Sequence, residues 1–474
     1  MAEVEMTAMV ETLIKKARDA QHAIDGYTQA QVDLMVQSVA WAMLEPERNR
    51  HLAELAVRDS GVGNIDDKFA KNFRKTLGLV RDLKRAVSVG VIDEDLALGI
   101  TEIARPVGVV AAITPSTNPG ATPINKILNA LKCRNAIIIA PSPKGASTCQ
   151  QLLTYVHVQL GKVGAPIDLV QMLPMPISKE ATTELMKLAD LVVATGSQSN
   201  IRQAYSSGTP AFGVGAGNVA VIIDEWADCN SAAEKIAKSK AFDNATSCSS
   251  ENGVVIVSSA YDRAIESLKS AGGVLLTEED RARLQAFMFP DGKLSSQAVA
   301  QSAPEISRRA GLKGPGLEVA RFLMVRETGW GPGHPFSGEK LSPILTVWEV
   351  PDFDSAIDLV RNVYAFQGAG HSVGLHSVKS GVALEERARA LAERLPVARV
   401  IVNQAHAIAT GGSFDNGLPF SLSMGCGTWG RNNFSENLNY RHYLNITRIA
   451  RPIPEVVPSV DDLLSEYFEK FDRG

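Results

Sequence analysis

Hydrophobic positions recur at helical spacing over the N-terminal part of the chain. Two sets of apolar residues follow a period near 3.6, namely Val10, Leu13, Ile14 and Ala17, and then Val32, Met35, Val39 and Met43. Such spacing places apolar side chains on one helix face, so we predict that residues 5–90 are mostly helical. In the next segment, 96–105, larger apolar residues alternate with smaller or polar ones, which predicts a strand.

From residue 107 onward, short apolar runs alternate with segments of helical spacing. The predicted strands are 107–113, 136–140, 169–172, 191–194 and 219–223, and the helices between them are 123–133, 147–160 and 180–188. A second series consists of helix 231–242, strand 253–257, helix 261–271, strand 344–348 and helix 354–363, whereas 272–340 is rich in loops. This alternation predicts an α/β fold with a doubly wound parallel sheet and ligands at the carboxyl ends of its strands. The alternating tail, 443–449, predicts one more strand, added to a sheet of this chain or of a neighbouring copy.

The composition is that of a globular protein with more than one domain. A chain of 474 residues is too long for one ordinary core, so two or three domains are expected. The 48 basic and 52 acidic residues give a net charge of −4, which indicates no general affinity for nucleic acid or for an anionic membrane. The acidic N-terminus does not resemble a signal peptide, and no apolar run approaches the roughly 20 residues that span a bilayer.

The cysteines and histidines indicate free thiols and no metal. The five cysteines include no CxxC pair, so neither a zinc site nor a disulfide framework is expected. Free thiols are typical of the reducing cytoplasm, which is the location we expect. The eight histidines show no HxxxH or HExxH spacing.

Cys248 is the candidate nucleophile. It lies among small polar residues just before the apolar run 254–257, a setting that suits an exposed thiol at the start of a strand. A free cysteine is usually a small buried hydrophobic residue, and we expect that role for Cys133, Cys149 and Cys229. Cys426, between two glycines, is the competing candidate.

Two glycine-containing loops are candidates for nucleotide binding. Gly196 and Ser197 follow strand 191–194, and a helix that begins at Ser197 would present free N–H groups to a phosphate. The alternating glycines of 213–218 allow a close backbone approach to a ligand or to another strand. Taken alone, an ordinary turn is the better explanation of the segment with Gly196, and a tight structural loop explains 213–218 as well as a ligand does.

Six motifs in order resemble the aldehyde dehydrogenase superfamily, and in particular its CoA-acylating branch. They are 114–119 (TPSTNP), 195–197 (TGS), 213–218 (GVGAGN), the Cys248 segment, 339–343 (EKLSP) and 425–430 (GCGTWG). The resemblance implies a doubly wound nucleotide-binding domain, a second α/β catalytic domain and a small β arm for oligomerisation. We expect the nucleotide-binding domain at 1–92 and 108–224, the catalytic domain at 225–425, and the arm at 93–107 and 432–455. The resemblance also implies that the protein forms a homodimer or homotetramer.

The resemblance assigns roles to individual residues. Cys248 is expected to add to the aldehyde carbon, and the backbone N–H of Cys248 and the side-chain amide of Asn118 to stabilise the oxyanion that forms. Glu339 is expected to hold the nicotinamide ribose, although a solvated charge at a helix cap is the alternative. The remaining cofactor-binding residues are expected to be Thr114, Pro115, Ser142, Lys144, Gly196, Ser197, Gly215 and Pro343.

The expected acyl acceptor and the expected nucleotide are both inferred from loops that lack an acidic residue. Relatives that hydrolyse the thioester carry a glutamate where this chain has the stretch 215–218, which contains no acid. Without that general base, attack by water should be slow, so coenzyme A is the expected acceptor. The loop after strand 136–140 has Lys144 and no acid, which favours NADP, with NAD as the alternative.

The substrate is expected to be an aldehyde that carries an anionic group. Arg431 stands where relatives that act on acetaldehyde tend to have glycine, and an arginine near the pocket would favour a sulfonate or carboxylate. Sulfoacetaldehyde is the first choice, followed by succinate semialdehyde and acetaldehyde. Arg431 facing solvent, a hydrolytic aldehyde dehydrogenase and a non-catalytic relative remain the alternatives.

Overall fold

The computed structural model describes residues 3–215, 217–378 and 380–471, and it confirms the predicted α/β class. Four helices precede the first sheet, as predicted: α1 (Glu3–Ala23), α2 (Gln29–Leu44), α3 (Pro46–Ser60) and α4 (Ile65–Lys84). Thr28 closes a capping box with Gln31 at the start of α2, and Asn64 caps α4. No helix within the described ranges is both long enough and apolar enough to cross a bilayer.

The first sheet has five parallel strands in the order β5-β4-β3-β6-β7. Its elements are β3 (Val109–Thr114), α5 (Ala121–Lys132), β4 (Ala136–Pro141), α6 (Ala146–Lys162), β5 (Val170–Met172), α7 (Lys179–Leu188), β6 (Leu191–Thr195), α8 (Gln198–Tyr205) and β7 (Ala211–Val214). Every residue of β3, β4 and α5 is buried, because helices cover both faces of the sheet. The helices α1 and α2 pack into the same hydrophobic core.

The second sheet has seven parallel strands in the order β10-β11-β12-β9-β8-β13-β14. Its elements are β8 (Val219–Ile223), α9 (Cys229–Ala241), β9 (Glu251–Val257), α10 (Ser258–Ser270), β10 (Gly273–Leu275), α11 (Glu278–Met288), α12 (Ala303–Ala310), β11 (Phe322–Arg326), β12 (Ile344–Val350), α13 (Phe353–Phe366), β13 (Val373–His376), α14 (Val382–Arg394), β14 (Val400–Val402) and α15 (His406–Ala409).

Two sequence-based expectations fail in this sheet. The strand β8 was expected in the first domain, but it pairs with β9 and β13, so the chain leaves the first sheet after β7. We therefore move the proposed domain boundary from 225 to between Val214 and Val219. The segment 272–340, expected to be loop-rich, contains β10, α11, α12 and β11. Its strands are only three to five residues long, and they are fixed by tertiary pairing, of β11 with β12 and of β10 with β11, rather than by a local pattern.

A separate three-stranded antiparallel sheet forms an arm with the order β1-β2-β15. It comprises β1 (Gly90–Asp95), β2 (Ile100–Pro106) and β15 (Leu444–Ala450), and the helix α16 (Val460–Lys470) follows it. The predicted strand 96–105 is wrong at its start, because Leu96–Gly99 is the turn of a hairpin and Gly99 has a φ of 65°. The predicted tail strand is confirmed, and it pairs with β2 of its own chain.

Candidate active site

A cleft of about 410 Å³ lies where loops of the two large sheets meet. The first sheet supplies the loops that follow β3, β4, β6 and β7, as expected for a doubly wound sheet. The second sheet supplies the segment just before β9, so the nucleophile comes from the amino end of its strand. Nine of the twelve predicted site residues line this cleft: Thr114, Pro115, Asn118, Ser142, Gly196, Ser197, Gly215, Cys248 and Glu339.

Cys248 differs from the other four cysteines in its exposure. All five lie in described residues and are free thiols; Cys248 is half-buried and the others are buried. Cys426, the competing candidate, is buried, and its thiol donates to the carbonyl of Met424 at 3.5 Å. Burial, together with the carboxyl group of Glu339, raises the pKa of the Cys248 thiol to about 12. The thiol is therefore protonated at neutral pH and needs a base to become a nucleophile.

The ring of His371 lies beside this thiol. Its Nε2 lies 3.5 Å from Sγ of Cys248, and burial together with the guanidinium of Arg399 lowers its pKa to about 3. The imidazole is thus neutral, and one ring nitrogen can accept the thiol proton. The other, Nδ1, lies 2.7 Å from Oγ of Ser372, which lies 2.9 Å from Nε2 of His406. If Nε2 of His371 accepts, Nδ1 donates to Ser372 and Ser372 donates to His406, so the chain of hydrogen bonds has one consistent direction.

The loop that carries His371 is held from behind by the segment that contains Cys426. Arg399 donates to the carbonyl of His371 at 3.2 Å and to that of Gly425 at 2.9 Å. A side chain at Gly370, whose φ is 97°, would overlap the carbonyl oxygen of Cys426. Gly370 thus lets the two loops pack backbone against backbone beside Cys248.

Glu339 is a half-buried carboxylic acid at the wall of the cleft. Its Oε1 accepts a hydrogen bond from the backbone N–H of Gly217 at 3.2 Å. Burial raises the pKa of Glu339 to about 8, and the hydrogen bond from Gly217 opposes this shift only in part. The predicted alternative for Glu339, a solvated charge at a helix cap, is therefore wrong.

The backbone around Gly217 leaves no room for a side chain next to the nucleophile. A Cβ at Gly217 would lie 2.7 Å from the carbonyl oxygen of Cys248 and 3.0 Å from the ring of His371. Ala216 lies outside the described residues. Among the described residues that line the cleft, Glu339 is the only acid.

The nucleotide end of the cleft offers hydroxyl and backbone donors. Ser197 caps α8, and its Oγ accepts from the N–H of Asn200 at 3.3 Å, which leaves the first N–H groups of the helix facing the cleft. The hydroxyl of Thr114 is buried and has no hydrogen-bond partner among the described residues. These unsatisfied donors suit the phosphates and hydroxyl groups of a dinucleotide.

Three predicted site residues do not line the cleft. Lys144 is exposed in the loop after β4. Pro343 is buried, and its carbonyl accepts from the N–H of Leu323 inside the second sheet, while Leu341 of the same motif faces the cleft. Arg431 is exposed after a short 3-10 turn and takes no part in the cleft wall. The argument from Arg431 to an anionic substrate therefore fails, because the left-handed backbone at this residue ends the turn at the surface.

Sequence reasoning missed two groups of residues near the nucleophile. One is His371 with its hydrogen-bond partners. A histidine directly after the closely spaced glycines Gly368 and Gly370 could have indicated a tight loop that carries a functional side chain. The other is the buried face of α4, which carries Lys68, Lys71 and Lys75. Lysines at this spacing normally indicate the solvent face of a helix, so no local pattern placed them inside.

Comparison with known proteins agrees with this geometry. The chain is 60% identical over 464 residues to the acylating sulfoacetaldehyde dehydrogenase of Cupriavidus necator, with 98% of this chain and 93% of the relative covered. It is 36% identical to an acetylating succinate-semialdehyde dehydrogenase of Clostridium kluyveri, with 96% and 98% covered. The crystal structure of an acetylating aldehyde dehydrogenase from Geobacillus thermoglucosidasius superposes with a TM-score of 0.91 at 34% identity, covering 97% of this chain and 100% of that one.

A family model points the same way as these individual relatives. The model described as the aldehyde dehydrogenase family matches residues 3–282, which include the four N-terminal helices, the first sheet and Cys248. The chain therefore belongs to the aldehyde dehydrogenase family.

Proposed function

We propose that the protein is a CoA-acylating aldehyde dehydrogenase that converts aldehyde, CoA and NAD(P)⁺ into acyl-CoA and NAD(P)H. The observation that carries this proposal is the contact between the Cys248 thiol and the neutral imidazole of His371. Cys248 lines the same cleft as the loops that suit a dinucleotide, and His371 is buried beside it. A cysteine and a base at one end of a nucleotide cleft can form a thioester and transfer a hydride in one site.

The first half of the proposed reaction forms the thioester. His371 accepts the thiol proton as Sγ of Cys248 bonds to the aldehyde carbon, and the carbonyl oxygen becomes an oxyanion. The N–H of Cys248 and the NH₂ of Asn118, neither of which has an acceptor among the described residues, stabilise this charge. A nicotinamide nucleotide held by the loops of Thr114, Ser142 and Ser197 would supply the hydride acceptor for this carbon, which would leave a thioester on Cys248.

The second half transfers the acyl group to CoA. The CoA thiol gives its proton to a base, adds to the thioester carbon and displaces the Cys248 thiolate, which is reprotonated. Water is a weaker competitor because the stretch near Gly217 approaches Cys248 too closely to carry an acid there. Glu339 is the acid of the cleft that could still activate water, which defines the hydrolytic alternative.

Sulfoacetaldehyde is the proposed aldehyde, with succinate semialdehyde and then acetaldehyde as alternatives. The support is the 60% identity to the acylating sulfoacetaldehyde dehydrogenase of Cupriavidus necator. Arg431 no longer supports this assignment. Within the described residues the cleft wall contains no lysine or arginine, so hydroxyl groups such as those of Ser116, Thr117 and Ser247 are the groups we propose to contact the sulfonate.

NADP(H) is the proposed nucleotide, with NAD(H) as the alternative. The loop after β4 contains no acid, and Lys144 is exposed next to Ser142, which lines the cleft. An exposed lysine there can approach a 2′-phosphate without displacing any existing partner.

A substrate panel tests the proposed function. Sulfoacetaldehyde, succinate semialdehyde and acetaldehyde are each supplied with NADP⁺ or NAD⁺, with and without CoA, and both NAD(P)H and the acyl product are measured. We expect steady turnover to require CoA and to be fastest with sulfoacetaldehyde. Rapid formation of free acid without CoA would refute the acylating assignment and favour a hydrolytic enzyme with Glu339 as its base.

We also propose that the arm and α16 associate with a second copy of the chain. None of the residues of α16 is buried, and its apolar side chains Leu463, Leu464 and Tyr467 are exposed. Among the described strands, β1 and β15 each pair only with β2, so each has an edge that a second copy can pair with. The molar mass from light scattering should be that of a dimer or tetramer, and deletion of 444–474 should give monomers.

A further inference from the structure

A row of lysines is buried on the face of α4 that packs beneath the active site. Lys68, Lys71 and Lys75 are only 3%, 6% and 8% exposed. A buried lysine is unfavourable unless its ammonium group is fully hydrogen-bonded. The partners of these lysines therefore show what the helix is holding in place.

Lys71 joins the two sides of the cleft. Its ammonium nitrogen lies 2.9 Å from Oδ1 of Asn118, 2.6 Å from Oδ2 of Asp243 and 2.9 Å from Oγ1 of Thr246. An ammonium group has three hydrogens, so these three acceptors use all of them. Asn118 belongs to the loop after β3, and Thr246 precedes Cys248 by two residues. Lys71 thus connects the loop of the proposed oxyanion donor to the loop of the nucleophile.

This contact determines the orientation of the Asn118 amide. An ammonium group can donate but has no lone pair with which to accept. The atom of the amide that faces Lys71 must therefore be the oxygen, and the NH₂ must point the other way. Asn118 lines the cleft, and no described residue accepts a hydrogen bond from its NH₂.

Asp243 holds the ammonium of Lys71 from the opposite side. Its carboxylate also accepts from Lys68 at 3.1 Å, from the hydroxyl of Thr246 at 2.7 Å and from the backbone N–H of Asn64 at 3.0 Å. The nearby lysines lower the pKa of Asp243 despite its burial, so it remains a carboxylate. Asp243 is thereby a fixed counter-charge for Lys71.

The backbone between Asp243 and Cys248 has a conformation that needs restraint by hydrogen bonds such as those of Lys71 and Asp243. Asp243, Asn244 and Ala245 all have left-handed φ angles, of 50°, 51° and 58°. Such angles at non-glycine residues are strained and persist only where the surroundings enforce them. The N-terminal part of α4 supplies that restraint, because the Asp243 N–H also donates to Asp67 at 2.7 Å.

We propose that Lys71 is a positioning residue that aims the NH₂ of Asn118 at the oxyanion and holds Thr246 beside the nucleophile. This inference rests on the proposed function, in which Asn118 stabilises the thiohemiacetal oxyanion. Lys71 itself does not touch the reacting atoms. It acts through Asn118, and the coupling between the effects of substituting the two residues can be measured.

The experiment is a double-mutant cycle between Lys71→Met and Asn118→Ala. The readout is the rate of the first NAD(P)H turnover at saturating aldehyde without CoA, alongside nucleotide KM and thermal stability. We expect Asn118→Ala to slow this step about 100- to 1,000-fold, as the loss of one oxyanion donor does. Lys71→Met should slow it about 10- to 100-fold with little change in nucleotide KM, because a misdirected amide loses part of that stabilisation. The double variant should be no slower than Asn118→Ala.

Lys75→Met is the matched control. Lys75 is buried on the same helix face, but it donates to the carbonyls of Gly411 and Gly412 rather than to Asn118. Its loss should lower the unfolding temperature while the first-turnover rate changes less than threefold. Should Lys71→Met not fold, Lys71→Gln takes its place, since a shorter amide keeps a donor for Asp243 and no longer fixes the orientation of Asn118.

Two outcomes separate failure of this inference from failure of the proposed function. If Asn118→Ala keeps the full rate, the oxyanion role of Asn118 is wrong. If Asn118→Ala is slow, but Lys71→Met slows it further by the same factor as in the unmodified protein, then Lys71 does not act through Asn118 and the inference is overturned.

Discussion

The protonation states of Cys248 and His371 predict an unusual pH dependence for alkylation of the nucleophile. The pKa of the thiol is raised to about 12 and that of the imidazole is lowered to about 3. Between these values neither group changes its state, so the small thiolate fraction increases about tenfold for each pH unit, and less steeply near pH 8, where Glu339 ionises beside the thiol. The rate of alkylation by iodoacetamide should therefore increase continuously from pH 6 to pH 9, without a plateau.

The magnitude follows from the same pKa. At pH 8 a thiol with a pKa of about 12 is ionised in about one molecule in 10⁴, whereas a free cysteine with a pKa of about 8.5 is ionised in about one in four. The difference in thiolate is about 2,500-fold. A thiolate of higher pKa is more nucleophilic, and a Brønsted coefficient of about 0.45 over about 3.5 units raises its reactivity roughly 40-fold. Cys248 should thus react roughly 50- to 100-fold more slowly than a free-cysteine peptide.

The assay measures alkylation of each cysteine by mass spectrometry across the pH range, with the free peptide in the same tube. Cys248 should still react before the other four cysteines, because they are buried. A plateau above pH 6 or 7, with a rate equal to or above that of the peptide, would show a resting thiolate–imidazolium pair. That result would refute the neutral thiol and imidazole inferred from the structure.

The other predictions concern the same cleft. Cys248→Ala should bind NADP⁺ as tightly as the unmodified protein by fluorescence titration but show no turnover; undiminished turnover would move the nucleophile elsewhere. His371→Ala should lower kcat about 10²- to 10⁴-fold, the usual contribution of a general base, and an unchanged kcat would exclude His371 from proton transfer. Burial raises the pKa of Glu339 from 4.5 to about 8, so the folded protein binds this proton more tightly than the unfolded chain does. Between pH 4.5 and about 8 Glu339 is ionised in the unfolded chain but keeps its proton in the folded protein, so unfolding releases a proton and stability falls as pH increases; urea unfolding should find Glu339→Gln increasingly more stable than the unmodified protein across this window. A difference that stays constant with pH would contradict the raised pKa.

The sequence predicted the parts of the fold that depend on local patterns. Strands such as β3 and β4 are continuous apolar runs, and the helices between them have clear spacing, so their type and order were visible. The partners of each strand were not. The strand β8 has the same apolar character as the strands before it, and only its hydrogen bonds to β9 and β13 place it in the second sheet.

The candidate site shows the same division. Cys248, Asn118 and Glu339 stand in recognisable motifs, and they do line one cleft. Lys144 and Arg431 were chosen for charge and position along the chain, and both are exposed outside it. His371 lies 123 residues from Cys248 along the chain, so its contact with the nucleophile exists only in the folded protein.

The chain by itself determined the α/β class, the candidate nucleophile and the absence of an acid from the stretch 215–218, because each of these depends on residue types over a few neighbouring positions. Tertiary structure alone decided which strands pair, that His371 meets Cys248, and that three lysines of α4 are buried. Lysine is ordinarily a surface residue, and what reverses that preference for Lys71 is a carboxylate, an amide and a hydroxyl brought together from distant segments. Local sequence determines what a residue prefers, and the folded environment determines whether that preference is satisfied or overridden.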